Sequence, residues 1–147
     1  MAKMIFVNLP VTNLNRSIAF YAALGAEQNL QFSDATAAMM SFSAEVNVML
    51  LTHDKYRQFT AKPIADAHAT SQALLCLSAE GGRDEVDGTV AKAAGAGGVA
   101  DPGPKQDHGF MYGRSFEDPD GHHWEVMWMD MAALGAAPAA GAEAKAD

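Results

Sequence analysis

The chain has 147 residues, 49% of them hydrophobic, and carries 10 basic against 18 acidic side chains for a formal net charge of −8. That length suits one domain, or two small modules sharing a core, and the acidic balance with scattered Lys and Arg argues against nucleic acid or an anionic membrane as partner. One cysteine allows no intrachain disulfide, and no stretch approaches the ~20 apolar residues of a membrane span, so a protein of the reducing cytoplasm is expected.

Residues 4–10 run apolar and predict a first strand, broken at Asn8 and Pro10 in a way that makes a poor signal peptide. Thr12 or Asn13 can cap a following helix, in which Leu14, Ile18 and Tyr21 recur at helical spacing and Gly25 marks the stop. Strands are predicted at about 28–33, Ala37–Ser43 and Val46–Thr52. A polar connection covers 53–70, with a short helix at Asp54–Phe59, and His53 and His68 on it are expected to face solvent. The order then repeats: a strand at Ser71–Ser78, a helix from Glu85 to about Ala94, a short strand near Gly98–Asp101, and strands at about Phe110–Glu117 and His122–Met129. Phe6 and Leu74 hold matching places, as do Ala22 and Lys92, an offset of 68 to 70 residues. Cys76, inside the apolar run Ala73–Leu77, is expected to be a buried, inert thiol. From about Met131 the chain is rich in Ala with Pro138 and Gly141, which predicts a disordered tail over 131–147.

The last two strands flank Asp118-Pro-Asp-Gly121, strong turn chemistry, so they form a hairpin. Its second strand is apolar except for Glu125 between Trp124 and Val126, and a charge in that position needs a partner. If Glu117 pairs with His122, then Arg114 faces Glu125, Tyr112 faces Met127 and Phe116 faces His123. An Arg114–Glu125 ion pair is therefore expected. His122 and His123, adjacent in a strand, point to opposite sides, and His123 shares the side of Glu125. His108, on the loop entering the hairpin, can reach a ligand or move a proton. Asn8 can offer a polar group beside Phe6, and the many methionines (Met39, Met49, Met127 among them) make either core or an adaptable pocket wall. No phosphate-binding glycine loop, GxSxG or CxxC is present.

Leu9-Pro-Val-Thr-Asn-Leu-Asn-Arg-Ser-Ile-Ala-Phe-Tyr21 resembles the opening strand-to-helix signature of the vicinal oxygen chelate superfamily, which includes glyoxalase I, bleomycin-resistance proteins and extradiol dioxygenases. Phe116-Glu-Asp-Pro-Asp-Gly-His-His-Trp-Glu125 resembles its closing hairpin. The resemblance implies an α+β fold of two βαβββ modules, about 4–52 and 71–130 within one domain of residues 1–130, whose mixed sheet curls into a cup. It also implies a homodimer. In metal-dependent members four inward His and Glu side chains hold a divalent metal; carried over, they fall at Phe6, about Leu50, about Leu74 and Glu125. Only Glu125 can ligate, so a cup without the usual metal is expected, with Glu125 and His123 or His108 as ligands should a divalent metal bind.

The expected function is small-molecule binding in that cup, with a metal-dependent lyase or extradiol-type dioxygenase as the alternative. Glu125, His108 and Tyr112 are the candidate catalytic residues. Arg114, Asn8, Phe6, Leu50, Leu74 and Met127 are the candidate ligand contacts.

Overall fold

The computed structural model describes residues 2–136. Strand β1 (Ile5–Val11), helix α1 (Leu14–Ala23) and strands β2 (Glu27–Asn29), β3 (Ala37–Ser41) and β4 (Val46–Thr52) make the first module. A short helix α2 (His53–Tyr56) and an irregular connection lead to the second, built from β5 (Leu75–Ser78), α3 (Arg83–Gly95), β6 (Val99–Ala100), β7 (Gln106–Asp107), β8 (Met111–Glu117) and β9 (His123–Met129). The first sheet has the order β1-β4-β3-β2 and the second β5-β9-β8-β6, with β7 also on β8. In each module the first strand lies parallel to the last, β1 on β4 and β5 on β9, while the remaining pairs are antiparallel. The α+β class and the repeated element order thus match the expectation from sequence.

Helix α1 starts where Asn13 accepts a hydrogen bond from Arg16 N–H at 3.0 Å, and it stops at Gly25, whose φ is 102°. It buries Ser17, Phe20 and Tyr21. Val11, Met40, Val48 and Leu50 meet it from the first sheet, and Phe116, Trp124 and Val126 join the same core from the second. Tyr21 and Trp124 rings meet at 5.9 Å, and Phe116 stacks on Trp124 with planes 5° apart, so the aromatic centre bridges both modules. Alternate residues of each strand therefore face the helices and the others form the opposite, inner face.

Several expected bounds move. The strand predicted at 28–33 ends at Asn29, because the Asn29 side chain accepts from Gln31 N–H at 3.0 Å and turns 30–32 into a 3-10 helix. The second-module helix begins at Arg83, and β7 is a strand the sequence pattern did not reveal. Met131–Ala136 forms a short helix α4, begun by Asp130 accepting from Ala133 N–H at 3.1 Å, where a disordered tail was expected; residues 137–147 of that expectation lie outside the described residues.

β1 is the free edge of its sheet. In a parallel ladder alternate residues bond to the neighbour; Ile5 N–H binds Glu45 C=O in the turn entering β4, so Phe6, Asn8 and Pro10 turn their backbone groups away from that strand. The Asn8 side-chain amide caps Phe6 C=O at 3.1 Å, Pro10 has no N–H, and His122 Nε2 donates to Pro10 C=O at 2.8 Å.

Candidate functional site: the inner faces and the seam between the sheets

The hairpin register decides which side chains share a face. β8 and β9 pair Glu117 with His123, leaving five residues, 118–122, in the turn. Gly121 N–H donates to Asp118 C=O at 2.9 Å, and Asp118 N–H reaches on to His122 C=O at 3.0 Å. The expected pairing of Glu117 with His122 is therefore wrong by one residue, and one residue exchanges faces. Ser115, and not Arg114, lies opposite Glu125; Arg114 lies opposite Val126, Tyr112 opposite Trp128, and Phe116 opposite Trp124.

The expected Arg114–Glu125 ion pair is accordingly absent. Arg114 faces α3, where its guanidinium binds Asp87 at 2.9 Å and Asp101 at 3.0 Å. Those two carboxylates hold its pKa above the usual value, and Arg114 in turn helps hold theirs below the usual range. The Tyr112 hydroxyl donates to Asp87 at 2.7 Å on the same side. Leu50 is likewise on the helix side and fully buried in the core. Tyr112, Arg114 and Leu50 therefore do not share a face with Glu125.

On the inner faces stand Phe6, Asn8 and Pro10 of β1, Met49 of β4 and Met39 of β3, and across the seam Cys76, Glu125, Met127, His123 and Glu117. Phe6 is 45% exposed, and Leu74, just before β5, is 59% exposed. Glu125 is the open carboxylate: its side chain is 44% exposed, and His123 Nε2 comes only to 4.0 Å. Cys76 pairs in register with Glu125 and is exposed, contrary to the buried thiol expected from its apolar run. The run alternates faces, so Leu75 and Leu77 pack on the core while Cys76 turns outward. Partial desolvation and then the charge of Glu125 push its thiol up, away from thiolate formation.

A cavity of about 660 Å³ opens where the two inner faces adjoin, lined by Asn8 and Pro10 from β1, Glu117 and His123 from the hairpin, and His68 with Ile64 from the connection. Glu125 is not in its wall. His68 is exposed, as expected, while His53 is half-buried. His122 lines this cavity and the one beside it; because Pro10 C=O can only accept, His122 carries its proton on Nε2. His108 is exposed at the Met111–Met129 end of the hairpin, whereas His123 pairs with Glu117 at the other end, so the two do not converge on Glu125.

Two carboxylates passed over in the sequence do more within the fold. Asp118 is 1% exposed and accepts from Tyr21 Oη at 2.6 Å and from the N–H groups of Asp120 and His122. Burial pushes its pKa up, opposed by the nearness of His122 and by these hydrogen bonds. Asp120 accepts from Thr12 N–H at 3.0 Å and Thr12 Oγ1 at 2.7 Å. The turn of the second module is thus bolted to the first helix of the first. The Asp-Pro-Asp-Gly signal was read for its turn, and the signal for the bolt lies in Tyr21, whose hydroxyl needs a buried acceptor.

A divalent metal would need three or four converging lone-pair donors. Phe6 and Leu74 bring none, Glu125 has one imidazole at 4.0 Å, and among the described residues no three His, Cys, Asp or Glu side chains gather to hold an ion. The residues present do not fit the group.

No helix among the described residues is long and apolar enough to cross a membrane. No curated protein matches the sequence. Solved structures do. Hypothetical protein SA1046 from S. aureus is similar at 26% identity and a TM-score of 0.71, with 87% of this chain and 94% of that one covered. A glyoxalase/bleomycin resistance protein/dioxygenase family enzyme from Burkholderia phytofirmans PsJN is similar at 17% identity, TM-score 0.70, covering 87% and 99%. The fosfomycin resistance protein FosX from Listeria monocytogenes is similar at 18% identity, TM-score 0.61, covering 87% and 91%. The family model of the Glyoxalase/Bleomycin resistance protein/Dioxygenase superfamily matches residues 3–126, the span that holds the strand-to-helix opening, the first sheet, and the second sheet up to the last three residues of β9. With both end motifs inside that match, the chain belongs to the glyoxalase/bleomycin resistance/dioxygenase superfamily.

Proposed function

We propose that this protein binds a small molecule against the inner faces of its two sheets, without the divalent metal used elsewhere in the superfamily, in the cytoplasm. One observation carries the reading: Phe6 on the inner face of β1 is 45% exposed and Leu74, just before β5, is 59% exposed, and across the seam Glu125 offers an open carboxylate. Exposed apolar surface that lies beside a polar anchor supplies the two kinds of contact a small-molecule site uses. Phe6, Asn8, Leu74 and Met127 are the proposed contacts, with Glu125 as the polar anchor. A second copy laid over these faces would close the cup, which makes a homodimer part of the proposal.

The competing reading is a metal-dependent lyase or extradiol-type dioxygenase, and it has in its favour the approach of His123 to Glu125 at 4.0 Å. Elemental analysis of the purified protein, run beside thermal-shift screening of a small-molecule library with and without added divalent metals, separates them. Ligands that raise Tm without metal, and lose the effect in Phe6→Asp, support binding in the cup. A stoichiometric metal that disappears in Glu125→Ala would replace this reading with the metal-dependent one.

A further inference from the structure

Among the described residues Arg114 is the single Lys or Arg within a strand, and it faces α3, with Asp87 and Asp101 taking its charge. The inner faces therefore present no Lys or Arg of their own, and their one imidazole, His123, stands 4.0 Å from Glu125. They do present carboxylates, Glu125 on β9 and Glu117 on β8, and Glu117 also lines the seam cavity. Lys62 is the one Lys or Arg in the cavity lining, beside His68, His122 and His123; it is exposed and belongs to the connection rather than to either sheet.

We infer that the ligand is a hydrophobic organic cation, an amine or onium ion with apolar arms, and that the inner faces reject oxyanions. The inference rests on the inner-face binding reading above. A ligand that covers Glu125 strips water from a carboxylate, and this costs free energy unless the ligand supplies the compensating charge. A neutral ligand leaves that carboxylate unpaired, and an anion adds repulsion from Glu117. A cation meets both, and its apolar arms find Phe6, Met49 and Met127, whose ring and thioethers are polarisable partners for a diffuse positive charge.

Isothermal titration of the full chain at pH 8 with tetraphenylphosphonium and tetraphenylborate, ions of nearly one shape and opposite charge, tests it. The cation is expected to bind at least tenfold tighter than the anion. Glu125→Gln should erase most of that ratio, whereas Asp54→Asn, a 96% exposed carboxylate on α2, should leave it unchanged. Phe6→Ser should weaken the cation with Glu125 intact. An anion bound as tightly as the cation, with a ratio indifferent to Glu125→Gln, overturns the charge preference while leaving the binding reading in place, provided Phe6→Ser still weakens both. Binding of both probes that ignores Phe6→Ser, or binding of neither, sinks the two readings together.

Discussion

Asp118 and Glu125 lie on one hairpin, and their surroundings are opposite. Asp118 is 1% exposed and holds three donors, while the Glu125 side chain is 44% exposed with one imidazole at 4.0 Å. A carboxylate that is buried and fully bonded is part of the scaffold, and removing it strands its donors. A carboxylate left open on an apolar face contributes little to folding and is free to meet something else. Sequence motif alone does not separate the two kinds, because both sit within the same short string, Phe116–Glu125.

The largest way to break this contrast is Asp118→Ala. It orphans the buried Tyr21 hydroxyl and two backbone N–H groups, and should cost about 3 kcal/mol or more in urea unfolding. Next comes Gly121→Ala. Gly121 has φ 88°, and a Cβ there would sit 2.7 Å from His68 N, so the connection must move; a loss of roughly 2 kcal/mol is expected by the same measurement. Arg114→Met leaves Asp87 and Asp101 unpaired but able to reach water, and should cost about 1–2 kcal/mol. Glu125→Gln should shift stability by less than about 0.5 kcal/mol while changing ligand affinity. A Glu125→Gln protein as damaged as Asp118→Ala would erase the distinction.

The smallest effect is local. Arg83 grips Asp107 at 2.8 Å through both carboxylate oxygens and holds its pKa down to about 2. A depressed carboxylate contributes its stabilisation above its unfolded pKa and loses it as pH falls through the folded one. Amide exchange at 106–110 should therefore quicken between about pH 4 and pH 2, corrected for intrinsic rates, and Asp107→Asn should flatten that dependence.

Much of the fold was legible because its signals are local: the Asn13 cap, the Gly25 stop, and two apolar strands around Asp-Pro-Asp-Gly. The site was less so, because it depends on parity. Turn chemistry alone suits a four-residue connection, but Asp118 is drawn inward to the Tyr21 hydroxyl and its N–H bonds His122, which adds the fifth residue. That single step moved Arg114 and Tyr112 to the helix side. Leu50 failed for a related reason: counting along a strand places a residue to within one, and one is the difference between core and inner face. Glu125, Phe6 and Met127 stand on the inner faces because their placement follows from strand alternation alone.

The edge of β1 has a consequence for solubility. An exposed strand edge is a template on which other chains can polymerise. Here Asn8 covers one outward carbonyl, His122 another, and Pro10 offers no donor, so little of the ladder remains for an incoming strand to copy. The chain can leave an apolar inner face open for a ligand with its neighbouring edge already defended against aggregation, and Asn8→Val with His122→Ala is the pair of changes that would remove this defence and seed fibres.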